Sequence, residues 1–458
     1  MTFHNRSFPN SGLRDETGHS RRDVLRYGVI LSGAALVPAA ISACGSNGGP
    51  TPMPSVPTQV SNTQQIGDLL VALAKNAAAN GTYGIGGAII ENSSGRVVKT
   101  MENSVLKRLN PDVEQSSGEV FTWDPTAHGE RELVYWYYAN KAAMNLPPTQ
   151  QLTVVTSLDP CAMCAGTLLT AGFNVGVVAP DTFSGINYNQ QFNFPDLPEP
   201  VRGRALATFG YYAVDGGRAY VGGKNVVFSN GTLSASAFSD CSSIYQQSAT
   251  GVRQNRKNSG TQPAQLENPA KSPDADAVRT AYKAQYAGAF SLTLANYRKP
   301  NAALKSLLIK LRDSTPGAKN AVAFIDPFGN LISAFADSFD KNPVATAFQN
   351  VAQSYSQTRF NLLNNQATNA IVQKTITSPK YGTFVFLYAP SPRLSTTIED
   401  LGAFGSTVES KAPTPIPSPF QFYLPPLVGT TAELQKVAHN LPPLYSQLVD
   451  ISPQQVHL

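Results

Sequence analysis

Two short stretches decide how this chain reads: Asp124-Pro125-Thr126-Ala127-His128-Gly129-Glu130 and, further on, Asp159-Pro160-Cys161-Ala162-Met163-Cys164. Together they spell H-x-E, a gap, then P-C-x-x-C. One imidazole and two thiolates offer Zn²⁺ three ligands and leave a fourth tetrahedral position for water. The two thiolate charges balance the ion, and water bound to such a centre loses its proton near neutral pH. The C-x-x-C spacing sets both sulfurs on one face of a helical turn. Pro160 suits a helix start, and a helix N-terminus stabilises thiolates. His128 likewise precedes a helical stretch, 131–143. Glu130 is not spaced as a ligand. It is placed to move protons at the open position.

Each half of this pattern alone is weak. C-x-x-C also serves redox chemistry and structural zinc. The combination is stronger because the chain has five histidines, and the others (His4, His19, His439, His457) lie near the two ends. The pattern resembles the zinc-dependent cytidine/deoxycytidylate deaminase superfamily. Asp-Pro-Thr-Ala-His-x-Glu and Pro-Cys-x-Met-Cys-Ala-Gly are similar to guanine deaminases and tRNA adenosine deaminases in particular. The resemblance implies an α/β chain with a three-layer α/β/α fold. It implies Zn²⁺ on His128, Cys161 and Cys164, with Glu130 as general acid/base. Asn103 and Ala127 are then the expected substrate contacts.

The flanks agree. An apolar-patterned helix is expected at 64–78, followed by strands at 83–91 and 96–101 around Asn92-Ser93-Ser94-Gly95. A further strand, 152–157, leads to the cysteines. The sequence departs from the family in three ways. Gly129 replaces the usual alanine and weakens an early helix turn slightly. The stretch 104–123 is long and reads as a lid or rim. Beyond Phe173 the likeness stops, so substrate choice is not legible. Tyr135, Trp136, Tyr137 and Tyr138 read as core and partner packing.

The C-terminal half echoes the first. A helix at 304–311 is followed by strands at 321–325 and 331–336 around Asp326-Pro327-Phe328-Gly329. Asn342-Pro343-Val344-Ala345-Thr346-Ala347-Phe348 aligns with the segment around His128, so Thr346 replaces the histidine and Phe348 the glutamate. After a strand at 383–388, Ser391 and Leu394 replace the cysteines, and Gly402 falls where Gly172 does. Such a copy has lost every metal-site residue. Its expected role is structural, as an inert partner fused in cis to form a pseudo-dimer.

The chain has 458 residues, enough for two or three domains at ~150 each. Residues 20–26 carry Arg21-Arg22, a modest apolar run follows, and Ile41-Ser42-Ala43 precedes Cys44. The segment resembles a twin-arginine signal peptide ending in a lipobox. The run is too short for the ~20 residues of a membrane span. Cys44 would then carry lipid, anchoring the chain to the outer face of the bacterial cell membrane or to the periplasmic membrane face. The expected layout is signal peptide 1–43, tether 44–62, zinc deaminase domain 63–250, linker 251–285, degenerate domain 286–420 and tail 421–458. Cys241 is a spare thiol.

Lys plus Arg is 35 against 30 acids, a net charge of +5. Five arginines and three acids lie in residues 1–43, so about +3 remains without them. That argues against nucleic acid as partner. The expected activity is hydrolytic deamination of a free nucleobase or nucleoside by zinc-bound hydroxide. The alternatives are an inactive zinc-holding binding lipoprotein and an exported nucleic-acid deaminase.

Overall fold

The computed structural model describes residues 56–113, 120–254, 260–408 and 417–458. The signal segment, Cys44 and most of the tether lie outside the described residues. So do parts of the expected rim and linker.

The first half opens with α1 (Thr63–Ala79), whose first turn is capped by the Asn62 side chain accepting the Gln65 N–H. β1 (Gly86–Glu91) and β2 (Val97–Glu102) form the expected hairpin. It turns at Gly95, where φ is +71° and the Val60 carbonyl leaves no room for a Cβ. The rim contains a small antiparallel ribbon, β3 (Leu106–Arg108) with β4 (Val120–Thr122). Then follow α2 (Gly129–Asn140), β5 (Leu152–Leu158), α3 (Ala162–Ala171) and β6 (Asn174–Ala179). α4 (Glu199–Thr208), β7 (Phe209–Tyr211), β8 (Ala213–Val214), β9 (Val221–Gly222), β10 (Thr232–Leu233) and α5 (Ala235–Gln254) complete this half. The sheet runs β2-β1-β5-β6-β7-β9. β1 is antiparallel to both neighbours, and β5, β6 and β7 are parallel.

Successive strand residues point to opposite faces. Ala88 and Ile90 therefore pack with Ile66, Leu70 and Cys241 of α1 and α5, whereas Ile89 packs with Leu133 and Leu168 of α2 and α3. This is an α/β/α sandwich, and β5, buried along its whole length, is its centre.

The second half repeats the plan. Its elements are α6 (Asp276–Gln285), α7 (Ala302–Asp313), β11 (Ala321–Ile325), β12 (Leu331–Ala336), α8 (Ala347–Leu363), α9 (Asn369–Thr375), β13 (Thr383–Tyr388), α10 (Ser395–Thr407), β14 (Phe420–Leu424), α11 (Thr431–His439) and β15 (Gln454–Gln455). The sheet order β12-β11-β13-β14-β15 and its strand directions match those of β2-β1-β5-β6-β7, and the first sheet adds β9, antiparallel to β7, at its edge. The likeness reaches single bonds. The register slips after Ile89 in one hairpin and after Phe324 in the other. Val60 N donates to Gly95 O, and Leu294 N to Gly329 O. Asn301 caps α7 as Asn62 caps α1. Thr346 stands at the N-cap of α8, as His128 stands at the N-cap of α2. Phe348 packs on Phe384 and Phe386, an apolar contact where the first half keeps a carboxylate.

The two halves share one core. α3 and α10 cross antiparallel at very short range. A Cβ on Gly402 would lie 2.7 Å from Met163 Cα, and one on Gly166 would lie 2.7 Å from Glu399 Cα. Thr170 and Ser395 hydroxyls meet at 2.7 Å along the same seam.

Four expectations need correction. Gly402 lies inside α10 and serves the helix crossing, whereas Gly172 ends α3 in the left-handed conformation. Leu394, not Ser391, stands at the N-cap of its helix, as Cys161 does. Pro392 disfavours helical backbone at Ser391, and the helix starts one turn late. The stretch taken as linker contains α6, which buries Val278 and Tyr282 against α8. The stretch taken as tail contains α11, most of β14 and all of β15, so it belongs to the second sheet.

Candidate metal centre

Two helix N-termini converge at one point. α2 delivers His128 as its N-cap and Glu130 in its first turn. α3 delivers Cys161 as its N-cap and Cys164 in its first turn. Both caps have extended backbone, and neither uses its side chain to cap the helix. The side chains are thereby left for the cluster, and both positive helix ends face it. Gly129 fits between Met101, Glu102 and Asn103, where a Cβ would come within 3.3 Å of backbone.

One ligand atom from each of His128, Cys161 and Cys164 lies within 4.8 Å of the others. His128 Nδ1 is 3.6 Å from Cys161 Sγ. Ligands on tetrahedral zinc, at about 2.0–2.3 Å from the ion, stand roughly 3.3–3.8 Å apart. The donor set suits Zn²⁺, and the His128–Cys161 spacing falls within that range.

Glu130 sits beside the cluster and is buried. Cys164 Sγ lies 3.6 Å from its Oε2, and Thr156 donates to Oε1 at 3.1 Å. Burial raises its carboxyl pKa, partly opposed by His128. Hydrogen bonding from Cys164 and the nearby His128 lower the pKa of Cys161, while burial and the neighbouring Cys161 raise that of Cys164. Metal binding requires both sulfurs as thiolates and so would release protons.

Asn103 is nearly inaccessible. Its Oδ1 accepts from Thr82 Oγ1 at 2.6 Å and from Val105 N at 3.1 Å, while its Nδ2 has no partner. Asn103 belongs to the lining of a cavity of about 50 Å³, shared with His128, Glu130 and Cys161. Ala127 is fully buried and its carbonyl accepts from Ser104 N at 3.0 Å; its side chain is not part of the cavity lining.

Several residues of the site escaped sequence reading. Thr156 orients Glu130. Asp159, next to the cysteine motif, is locked by Tyr211 Oη and Asn187 N at 2.8 Å each. Burial pushes its pKa up to about 8. Asp181 and Ser184 form one wall, with Tyr245 Oη 3.3 Å from Ser184 Oγ. Arg253 stands at the rim, and Ser406, Leu444 and Tyr445 come from the second half. Only Asp159 and Thr156 had a local signal, their closeness to the motif. A larger groove, about 500 Å³, lies between Pro195–Pro200 and Arg393, Glu433 and Lys436, and none of the cluster residues lines it.

No family model and no curated protein matches the chain. It is similar to solved deaminases. A structure from work on A-to-I editing by tRNA:A34 deaminases is 20% identical, covering 26% of this chain and 78% of its own, with a TM-score of 0.20. Guanine deaminase from Nitrosomonas europaea is 14% identical, covering 42% and 87%, at 0.26. A structure in complex with 2,6-diaminopurine is 18% identical, covering 40% and 79%, at 0.23. These likenesses are too distant to transfer a role to any residue.

Proposed function

We propose that this chain is a zinc-dependent hydrolase that removes an exocyclic amine from a free nucleobase or nucleoside. The observation that carries the reading is the buried Glu130 carboxylate 3.6 Å from Cys164 Sγ, beside a His/Cys/Cys group spaced for one metal ion. His128, Cys161 and Cys164 would hold Zn²⁺. When bound, the ion supplies a Lewis acid that activates water. Glu130 takes a proton on Oε2, with Thr156 holding Oε1. Its raised pKa suits a group that must both accept and return a proton near neutrality. Asn103 Nδ2 donates to an acceptor on the base. The walls around Asp181, Tyr245 and Tyr445 exclude bulk water.

The second half serves as an inert partner fused in cis, supported by its matching sheet and by Phe348 in place of the carboxylate. Export by the twin-arginine route, with Cys44 lipidated and the body held at the outer membrane face, is part of the same proposal. Its support is the leader sequence alone. No described helix is long and apolar enough to cross a membrane.

Ammonia release should be screened with cytosine, guanine, adenine and their nucleosides. The expected result is turnover of at least one, lost in Glu130→Gln with zinc content unchanged. The narrow cavity favours one rival, a binding lipoprotein that keeps metal for structure, since ligand pockets usually span about 300–1,000 Å³. A zinc-loaded wild type that turns over no substrate of this class would establish the rival.

A further inference from the structure

The two halves differ at one sheet edge. In the second half, β12 is buried almost throughout. α6 packs over it, and Tyr286, just past that helix, meets the Phe335 ring at 6.2 Å. β2 holds the same place in the first half. Yet β2 is half-exposed along its whole length, and among the described residues no helix precedes α1 to play the part of α6.

The side chains match that difference. Ser333 pairs with Phe324 as Lys99 pairs with Ile89, and Ser354 follows Thr346 at the distance that separates Trp136 from His128. Both serine hydroxyls are buried. In their place the first half sets Lys99 Nζ 5.6 Å from the centre of a half-exposed Trp136 ring. Lys107 stands over Trp123 at 3.2 Å, and Lys141 over Tyr138 at 4.6 Å. Among the described residues none of these lysines has a carboxylate partner. Glu132, one turn before Trp136, is paired with Arg131. Ala139 follows Trp136 on the same side of α2 and is exposed, and Met144, beyond the helix, is 52% exposed. Indoles and long ammonium side chains together suit the boundary between acyl chains and headgroups.

The chain enters the fold at this same edge. Val97 N donates to Thr58 O at 2.9 Å, and Gln59 bridges to Arg96. Residues 45–55 separate that entry from Cys44, and a chain of that length spans at most about 40 Å. With lipid on Cys44, a second contact between this edge and the bilayer forms within one anchored molecule, at high effective concentration.

We propose that the β2–α2 face docks on the membrane, with Trp136 at headgroup depth and Lys99 against anionic lipid phosphates. The proposal rests on lipidation of Cys44 and is independent of the metal reading.

The test uses the full exported chain, purified with its lipid, in vesicles of equal parts phosphatidylglycerol and phosphatidylcholine, with and without bromine on the acyl chains near the headgroups. The chain has two tryptophans, so Trp123→Phe leaves Trp136 as the sole indole reporter. Flotation reads anchoring, and bromine quenching reads contact of Trp136 with lipid. Quenching is expected, and it should weaken as salt is raised. Adding Lys99→Glu should lower the ratio of docked to undocked chains about 25-fold, a factor of about five for each unit of charge changed, with flotation complete. The same loss should appear when Lys99→Glu is made with both tryptophans present, a check against misfolding of the Trp123→Phe chain. A floating chain whose Trp136 is not quenched overturns the proposal, and so does quenching that Lys99→Glu leaves unchanged. Concentration-dependent pairing of chains that shields Trp136 without lipid overturns it in favour of a second copy. A wild type that does not float brings down the anchor and this proposal with it, a result distinct from a floating chain with an unquenched indole.

Discussion

Gly402→Ala puts the crossing of α3 and α10 to a direct test. On an exposed helix the change favours folding by about 1 kcal/mol, because alanine is the better helix former. Here the added Cβ would lie 2.7 Å from Met163 Cα and Ala162 C, where ordinary contact begins at 3.4 Å. Met163 N lies closer still, so the shortfall exceeds 0.7 Å, and the obstacles are backbone atoms that cannot rotate away. The helices must separate along the whole seam, and contacts such as Thr170 to Ser395 stretch with them. Overpacking of this kind costs about 1–3 kcal/mol, and rigid neighbours place it at the upper end. After the propensity gain, a net loss of ~2 kcal/mol is expected. It is read from denaturant midpoints of the metal-free chain. Gly203→Ala is the control: that glycine also lies within a helix, but nothing is within 4 Å of its Cβ position, so the variant should gain up to ~1 kcal/mol. Gly166→Ala should repeat the loss, and the double variant should cost less than the sum, since one separation relieves both clashes. Zinc affinity should fall as well, because α3 carries both cysteines. A Gly402→Ala chain at least as stable as wild type would refute the reasoning.

Other expectations follow from the buried acids and thiols. Asp400 has its pKa pushed up to about 8 by burial, with Thr346 Oγ1 donating to it at 2.5 Å. The folded form keeps its proton up to that pH, while the unfolded form loses it above about 4, so stability falls as pH rises between the two and then levels. Asp400→Asn should remove ~1.4 kcal/mol per pH unit of that slope, read from denaturation midpoints at about pH 5 and pH 8; an unaltered slope would show that Asp400 is ionised in the fold. In the metal-free chain, mapped alkylation at about pH 8 should find Cys161 modified well before Cys241, whose thiol burial pushes up to about 12. Equal rates would contradict a lowered Cys161 pKa, and zinc should protect Cys161. Cys44→Ser should move the exported chain from the detergent phase to the aqueous phase in detergent partitioning; a wild type already in the aqueous phase would remove the lipid anchor from the proposal.

The sequence made the hairpins and the metal ligands legible for a physical reason. In both halves, runs of apolar residues flank a turn glycine that needs positive φ, so strand and turn signals agree. β11, β12 and β13 consequently begin and end where their residue patterns say. The ligands sit on residues whose identity is itself the chemistry. The rest depends on distant contacts. β15 is two glutamines, and nothing local makes them a strand; pairing with β14 does. α6 lies in a polar stretch, and its burial depends on stacking of Tyr282 on Tyr355. Gly402 reads as a helix end, yet its role is set by the backbone of another half. Tyr445 has no motif, and only the folded chain shows what it faces.

That last arrangement has a consequence for synthesis. The ribosome makes residues 128 to 164 early, but the wall that Tyr445 supplies emerges much later. A nascent or truncated chain that lacks the second half would therefore lack part of the enclosure around the three ligands. If the chain leaves the cytoplasm folded, as the proposed twin-arginine route would require, translation of the second half would act as a checkpoint on the first.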